Sequence, residues 1–180
     1  MKFLELAKTR HSVRKYIQKA VEKEKLSAIL EAANVAPTTA NLQPQRILVL
    51  QEKESLEKLA KVADADNAPI ANIFNAPLVL ILCCNTGEAW QRPEDEKTFE
   101  DIDIGIVSTH MMLQAAELGL GSVMIGNFKP EFIKEAFSFP MGLEPALILA
   151  IGYAAGEPAS LERHSQTRKP LLETTFYEKF

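Results

Sequence analysis

The chain contains 180 residues, 47% of them hydrophobic and 24% charged, which are ordinary values for a globular protein with a sizeable core. Its formal net charge of −4 argues against nucleic acid as a partner, because binding to a phosphate backbone favours a basic surface. The first five residues (Met-Lys-Phe-Leu-Glu) reach charge too soon for the apolar segment of a signal peptide, and the longest apolar run (77–84) is too short to cross a bilayer. We therefore expect a single domain over residues 1–180, located in the cytoplasm and without a membrane partner.

The first half of the chain predicts helices and strands in alternation. A short N-terminal helix is followed by a second helix that ends by Ala36, because Pro37 forces the residue before it into extended geometry. Buried strands are predicted over 47–50 and 78–83, with a charged surface helix over 55–62 between them.

Two adjacent cysteines, Cys83 and Cys84, stand at the end of the second predicted strand. Neighbouring residues of a strand point to opposite faces, so the two thiols are expected to be buried separately and to be structural. A redox or metal role would require a spacing such as Cys-x-x-Cys, which the sequence lacks.

The second half predicts one long helix, two further strands and a C-terminal extension. Residues 102–118 are apolar around most of the helix circumference, which is typical of a helix buried in a core or a subunit interface, and we expect an interface. Strands over 122–125 and 146–151 follow, separated by a short helix over 130–137. The extension after Ala154 has little periodicity, but it must dock on the body of the protein or on a partner to bury its aromatic side chains (Phe176, Tyr177 and Phe180). The alternation of elements predicts an α/β or α+β domain whose sheet is covered on both faces.

Basic residues near both ends of the chain form a candidate phosphate site. The segment Arg10–Arg14 contains two arginines four positions apart with a serine between them, and guanidinium and hydroxyl groups are good donors to phosphate oxygens. A second basic pair, Arg168 and Lys169, would close on the same anion from the other end of the chain. A solvated loop is the alternative interpretation of Arg10–Arg14.

An uncharged loop after the second helix is the second candidate binding segment. Its two prolines make it rigid, and its polar side chains can hydrogen-bond a heteroaromatic edge or a polyol (Thr38, Thr39, Asn41 and Gln43). A plain helix-to-strand connection is the alternative, because these residue types also suit turns. Further along, Gly126 follows a predicted strand and would let the backbone approach a ligand closely. The sequence contains no dinucleotide fingerprint, Walker loop, hydrolytic triad or metal-ligand spacing.

Taken in order, these segments resemble the FMN-dependent nitroreductase family, and the chain looks like a small single-domain member. The matching segments are 10–14 (Arg-His-Ser-Val-Arg), 36–44 (Ala-Pro-Thr-Thr-Ala-Asn-Leu-Gln-Pro), 103–105 (Asp-Ile-Gly), 118–122 (Leu-Gly-Leu-Gly-Ser), 152–153 (Gly-Tyr) and 168–171 (Arg-Lys-Pro-Leu). Their order and spacing extend over essentially the whole chain. The resemblance implies an α+β fold, a three-layer α-β-α sandwich with a central mixed sheet. It also implies a long interface helix and a C-terminal extension docked on the partner subunit.

The resemblance further implies a homodimer with FMN bound at the subunit interface. Arg10, Ser12 and Arg168 would match the family's contacts to the phosphate and ribityl chain. His11 would contribute mainly its backbone, and Lys169 would extend the basic pair at the C-terminal side.

Both subunits would contact the flavin ring. Arg14 would lie near the pyrimidine edge or the ribityl chain, and backbone at Ile125 and Gly126 would approach N5. Many larger members place a lysine near N1, in the stretch before the second strand, but residues 62–77 contain no lysine or arginine. Arg14 is therefore the candidate for stabilising the negative charge of reduced flavin. The other subunit would pack its uncharged loop along the ring through Pro37, Thr38, Thr39 and Asn41.

The activity implied by the resemblance is that of an FMN-dependent NAD(P)H oxidoreductase without a catalytic side chain of its own. NADH or NADPH would pass a hydride to the flavin and leave, and an acceptor such as a nitroaromatic or a quinone would take its place, which predicts ping-pong kinetics. The alternatives are a flavin-binding carrier or redox sensor without turnover, a relative with altered chemistry such as dehalogenation, and an interaction domain whose basic loops contact a protein. The segment 86–100, which holds the single tryptophan, would shape the acceptor pocket or form an ordinary surface loop.

Overall fold

The computed structural model describes residues 2–63 and 75–180 of the chain. Within these residues the α-helices are Phe3–Thr9 (α1), Lys23–Asn34 (α2), Lys53–Val62 (α3), Glu100–Glu117 (α4), Pro130–Ala136 (α5), Arg163–Thr167 (α6) and Leu171–Thr174 (α7). The β-strands are Gln45–Leu50 (β1), Leu78–Asn85 (β2), Gly121–Ile125 (β3) and Leu143–Gly152 (β4). The helices and strands predicted up to residue 151 are confirmed, with small shifts at their ends.

The strands form one sheet in the order β1-β2-β4-β3, and each neighbouring pair is antiparallel. The described sheet is therefore antiparallel and not mixed, which corrects the expectation from the sequence. Helix α4 does connect two strands that run in the same direction, β2 and β3, as crossover helices do. However, β4 lies between those two strands and runs opposite to both, so they never pair. The α+β class is confirmed.

Helices cover both faces of the sheet, which confirms the three-layer arrangement. One core contains residues of α3 and α5 and the odd-numbered side chains of β2 (Val79, Ile81 and Cys83). The other core contains residues of α2 and α4 and the even-numbered side chains of β2 (Leu78, Leu80, Leu82 and Cys84). A strand buried on both faces carries a continuous apolar run, which explains why β2 lacks alternation.

The two cysteines lie in different layers of the protein, as predicted. Cys83 belongs to the core beneath α3 and α5, and Cys84 to the core beneath α2 and α4. Burial raises the pKa of Cys83 to about 12 and that of Cys84 to about 11. Such thiols stay protonated at neutral pH, which is consistent with buried structural residues.

Helix α4 is buried on one face and open on the other in the single chain. Its buried face packs against α2 and the sheet through Ile104, Val107, Met111, Met112 and Ala115. The opposite stripe is exposed or half-buried and is made of small and apolar residues (Ile102, Gly105, Ile106, Thr109, Leu113 and Ala116). A subunit interface along this stripe stays a prediction. No helix in residues 2–63 and 75–180 is long and apolar enough to span a membrane.

The C-terminal extension contains two short helices, α6 and α7, and exposes most of its apolar side chains. Leu171, Leu172, Tyr177 and Phe180 each have at least 79% of their surface in solvent in the single chain. Docking of this extension on a partner subunit stays a prediction, and the exposed apolar surface is the reason to retain it.

Candidate functional site

The segment between α1 and α2 is held against the edge strand β3, and this contact positions Arg10–Arg14. The Val13 N–H donates to the Ser122 carbonyl oxygen at 3.0 Å. Val13 and Tyr16 are both buried, and the Tyr16 hydroxyl lies 2.7 Å from the Val13 oxygen and 3.1 Å from a carbonyl oxygen of β4. With these two residues anchored, the residues on either side of Val13 face outward.

The close approach of this segment to β3 requires a glycine at position 121. A Cβ atom there would lie 2.5 Å from Val13 Cγ2 and 2.8 Å from Val13 Cβ, which no real side chain allows. Two positions earlier, Gly119 adopts a φ of 76° just after α4, as is common for a residue that ends a helix. The Leu-Gly-Leu-Gly-Ser sequence at 118–122 therefore both stops α4 and admits the segment that holds Arg10.

The C-terminal extension returns to the same place and is fastened there by two side chains of α6. Arg163 Nη2 donates to the carbonyl oxygens of Lys8 at 2.5 Å and Arg10 at 3.0 Å, at the C-terminal end of α1. His164 Nε2 lies 3.0 Å from the same Lys8 oxygen. Arg168, which follows α6 directly, thereby enters the same cavity as Arg10.

The two segments enclose an open cavity of about 370 Å³ with a strongly basic lining. It is lined by four arginines, two histidines and two hydroxyl-bearing residues (Arg10, Arg14, Arg163, Arg168, His11, His164, Ser12 and Thr167). Within residues 2–63 and 75–180, none of the four arginines forms an ion pair with an acidic side chain. A chain with a net charge of −4 thus concentrates uncompensated positive charge in one place.

The charge of Arg10 is unfavourable in the protein alone. Burial, together with the positive charges of Arg163 and Arg168, lowers the pKa of Arg10. The side chains of Arg10 and Arg168 have no hydrogen-bond partner among the described residues, so their donors remain available for oxygen atoms of a ligand. An opposite charge placed among these groups would stabilise their charged forms. The cavity is therefore suited to a compact anion such as a phosphate.

The uncharged loop after α2 is fixed by a buried carboxylate of α4. The Thr39 N–H and hydroxyl both donate to Asp103 Oδ1, at 2.8 and 2.9 Å, and Asp103 is fully buried. The loop contains three non-glycine residues with positive φ, a conformation that costs energy and requires such support (Ala40, Asn41 and Gln43). The contact with α4 fixes the conformation of the loop, and its role in ligand binding stays a prediction.

The side chains predicted to bind a ligand in this loop do not reach the arginine cavity of their own chain. Pro37 and Asn41 are exposed, Thr38 and Thr39 are half-buried, and none of the four lines the cavity. The Thr38 hydroxyl accepts the Gln43 N–H at 3.1 Å, which closes the loop on itself.

Strand β3 leads from the arginine segment to the predicted site at Ile125 and Gly126. Ser122 pairs with Ser12 at its start, and Gly126 follows its end. Four residues at ~3.3 Å each separate the two positions by about 13 Å. Gly126 is exposed, and a Cβ atom there would meet nothing within 4 Å, so the space beside this backbone is open.

The structure brings five of the twelve predicted residues into one cavity; the four loop residues, the two at the end of β3 and Lys169 do not line it. Those that line it are Arg10, His11, Ser12, Arg14 and Arg168. Lys169 is exposed and is not part of the lining. Most of the lysine-free stretch 62–77 lies outside the described residues.

Sequence reasoning missed the roles of Asp103 and Arg163. Asp103 stands one helical turn before Val107, on the buried face of α4, and a carboxylate in that register requires donors from a neighbouring element. That signal was available in the sequence. Arg163 lies five positions before Arg168 in a stretch of ordinary polarity, and no sequence pattern indicates its contact with α1.

The segment 86–100 folds back on itself beside α4. Gln91 pairs with Thr98, and the rings of Trp90 and Phe99 meet edge to face with their centroids 4.7 Å apart. Its role in shaping an acceptor pocket stays a prediction. No cluster of three or more histidine, cysteine, aspartate or glutamate residues that could hold a metal ion occurs in the part of the chain that the structure describes.

Fold and cavity together define an α+β protein with a cationic pocket at one edge of its sheet. The chain belongs to the nitroreductase family, whose model matches residues 7–153. It is similar to a nitroreductase family protein of known crystal structure from Clostridium difficile 630, with 49% identity, a TM-score of 0.92 and 100% coverage of both chains.

Two further relatives have more specific names. The structure of an FMN-dependent nitroreductase from Clostridium difficile R20291 matches with 28% identity and a TM-score of 0.81, covering 99% of this chain and 100% of the other. A Bacillus subtilis protein named FMN reductase (NAD(P)H) is 29% identical over 170 residues, covering 86% of this chain and 67% of the relative. The family resemblance and the three-layer α+β fold are thus confirmed, with an antiparallel sheet in place of the mixed one.

Proposed function

We propose that this protein is an FMN-dependent oxidoreductase that takes a hydride from NADH or NADPH and passes electrons to a small acceptor such as a nitroaromatic or a quinone. The observation that carries the proposal is the basic cavity, in which Arg10 and Arg168 have free donors and no acidic partner among the described residues. The names of the two more specific relatives support FMN and a nicotinamide as the cofactors.

The residues present fit the phosphate end of FMN. A phosphate monoester carries between one and a half and two negative charges at neutral pH, by the usual second pKa of about 6, and offers three acceptor oxygens. Arg10 and Arg168 would donate to these oxygens, and the exposed Ser12 hydroxyl would add one more donor. Arg14 lines the same cavity, and we assign it to the ribityl chain or the pyrimidine edge, where a positive charge would stabilise reduced flavin.

The remaining contacts would orient the ring rather than react. Bound FMN supplies hydride acceptance and electron release, chemistry that none of the cavity side chains offers. A molecule anchored among the arginines and lying along β3 would bring its ring toward the open backbone at Ile125 and Gly126. The nicotinamide and then the acceptor would use the same pocket, and this order of events gives ping-pong kinetics.

The proposal includes a homodimer with the cofactor at the interface. The single chain exposes the small and apolar stripe on α4 and the apolar side chains of the C-terminal extension. Covering such surfaces removes apolar area from water, which stabilises by about 25 cal/mol per Å². In a dimer the uncharged loop would also contact a ligand, the flavin bound by the partner subunit. The contacting residues would be Pro37, Thr38, Thr39 and Asn41. A cytoplasmic location stays a prediction.

The test is the visible spectrum of the purified protein with FMN, followed by anaerobic addition of NADH or NADPH. We expect a yellow complex that bleaches with either nicotinamide and regains its colour when a quinone is added. A complex that stays yellow would replace the oxidoreductase with the flavin carrier or redox sensor. If the protein binds no FMN although its far-ultraviolet circular dichroism spectrum shows that it is folded, the assignment of the cavity is refuted.

A further inference from the structure

Arg163 lines the arginine cavity but directs its guanidinium at the protein itself. Nη1 donates to the carbonyl oxygens of Ser160 at 2.7 Å and Ala159 at 3.3 Å, and Nη2 to those of Lys8 at 2.5 Å and Arg10 at 3.0 Å. The four N–H bonds of the two terminal nitrogens thus face four acceptors, which leaves only the Nε–H for an anion.

The oxygens that Arg163 binds on α1 are ones that a helix end leaves without partners. The last carbonyl groups of a helix have no intrahelical donor, and Lys8 and Arg10 stand at the end of α1. A cation at this end also interacts favourably with the helix dipole. His164 adds a contact to the Lys8 oxygen, so two neighbouring residues join the C-terminal extension to the start of the chain.

Helix α6 needs contacts with the rest of the protein in order to be stable. It has five residues, and a helix of that length is not stable in isolation. Arg10, Arg163 and Arg168 carry like charges and line one cavity, where the charges of Arg163 and Arg168 help to lower the pKa of Arg10. Without a mechanical link, repulsion would favour moving Arg168 away from Arg10.

We infer that Arg163 is a positioning residue: it fastens α6 to the end of α1 and so holds Arg168 in the cavity beside Arg10. The affinity of the cavity for a phosphate then depends on Arg163 through geometry and not through contact. The identity of the ligand rests on the proposed FMN function, whereas the attachment itself is a property of the protein without ligand.

Lysine at position 163 separates geometry from charge. It retains the positive charge but presents a single ammonium group in place of the guanidinium fork, so it cannot reach carbonyl groups on both sides. We expect R163K and R163A to weaken FMN binding to a similar extent, by about tenfold or more, the equivalent of losing one or two hydrogen bonds. R92A is the matched control, because Arg92 pairs with Asp95 outside the cavity and its loss changes net charge as R163A does. If R163K binds FMN as the wild type does and R163A does not, Arg163 acts through charge and the inference is wrong.

A double-mutant cycle tests whether the effect passes through Arg168. In the R168A background we expect R163K to weaken FMN binding by less than about threefold, because coupled residues have non-additive effects. Full additivity of the two changes would overturn the inference.

Hydrogen–deuterium exchange of the protein without FMN tests the attachment separately. We expect R163K to increase exchange at the amides of residues 164–168, while R92A leaves them unchanged. Unchanged protection in R163K would refute the attachment, whatever the flavin titration shows. Conversely, a wild-type protein that fails to bind FMN would refute the proposed function, and the exchange result would still decide whether Arg163 holds α6.

Discussion

The substitution Arg10→Ala should weaken FMN binding without destabilising the flavin-free protein. Arg10 would donate to the FMN phosphate, so its loss should weaken flavin binding. In the protein alone, however, Arg10 stands near Arg163 and Arg168, and burial together with these charges lowers its pKa. A base whose pKa is lower in the folded state opposes folding while it is charged. Removing it should therefore leave the stability of the flavin-free protein unchanged or increased.

The magnitude follows from the type of contact. A hydrogen bond to a charged group contributes about 1.5–3 kcal/mol, which corresponds to a loss of roughly 10–150-fold in FMN affinity at 1.4 kcal/mol per tenfold. Fluorescence quenching of FMN on titration with protein measures the dissociation constant, and thermal unfolding without FMN measures stability. The control is R92A, which removes the same charge from the exposed Arg92–Asp95 pair.

Two results would refute this reasoning. An FMN affinity within about threefold of the wild type would mean that Arg10 does not bind the phosphate, because such a change is below one charge-assisted hydrogen bond. A melting temperature that falls in the flavin-free variant would mean that Arg10 stabilises the fold, and any loss of affinity would then be indirect.

Three further predictions concern other parts of the chain. Asn41→Ala should weaken FMN binding by about 2–12-fold, the effect of one neutral hydrogen bond, and equal flavin retention in variant and wild type would contradict a role for the loop. Gly121→Ala should destabilise the protein by ~1–3 kcal/mol because its Cβ overlaps Val13, and thermal unfolding at wild-type temperature would contradict that contact. The hydrogen bond from Tyr153 is the largest cause that lowers the pKa of Glu22 to about 2 from its usual 4.5. A carboxyl with a lowered pKa stabilises the fold above its unfolded pKa and loses that effect as pH falls. The difference in melting temperature between wild type and Glu22→Gln should therefore be constant above pH 4.5 and shrink toward pH 2. A difference that persists at pH 2 would contradict this prediction.

The elements of the fold could be predicted from the sequence because local signals fix them. The proline after α2, the continuous apolar run of β2 and the glycine after α4 each determine one boundary by backbone geometry or burial. The direction of pairing could not be predicted in the same way. The direction of pairing depends on the position of β4, the last strand in sequence, between β2 and β3. No local pattern in the sequence of β2 or β3 indicates that position.

The candidate site could be predicted in part for a related reason. Arg10, Ser12 and Arg14 form a short pattern with a direct chemical meaning, whereas Arg168 gains its meaning only from the fold that brings it back to α1. Arg163 is the extreme case, because its acceptors are backbone carbonyls and any residue type supplies those.

The placement of the cavity between the two ends of the chain links binding to structure. The first side of the cavity is held by β3 through Val13, inside the core, while the second is held by α6 through a few polar contacts to α1. Arg10, Arg163 and Arg168 place like charges in one cavity, and in the proposed function a bound anion would offset them. The anion and the docked position of α6 would then stabilise each other. By reciprocity, the docked position of α6 would then raise the affinity for the anion by the same free energy by which the bound anion stabilises that position. A bound anion would thus compensate for the burial and like charges that lower the pKa of Arg10 in the protein alone.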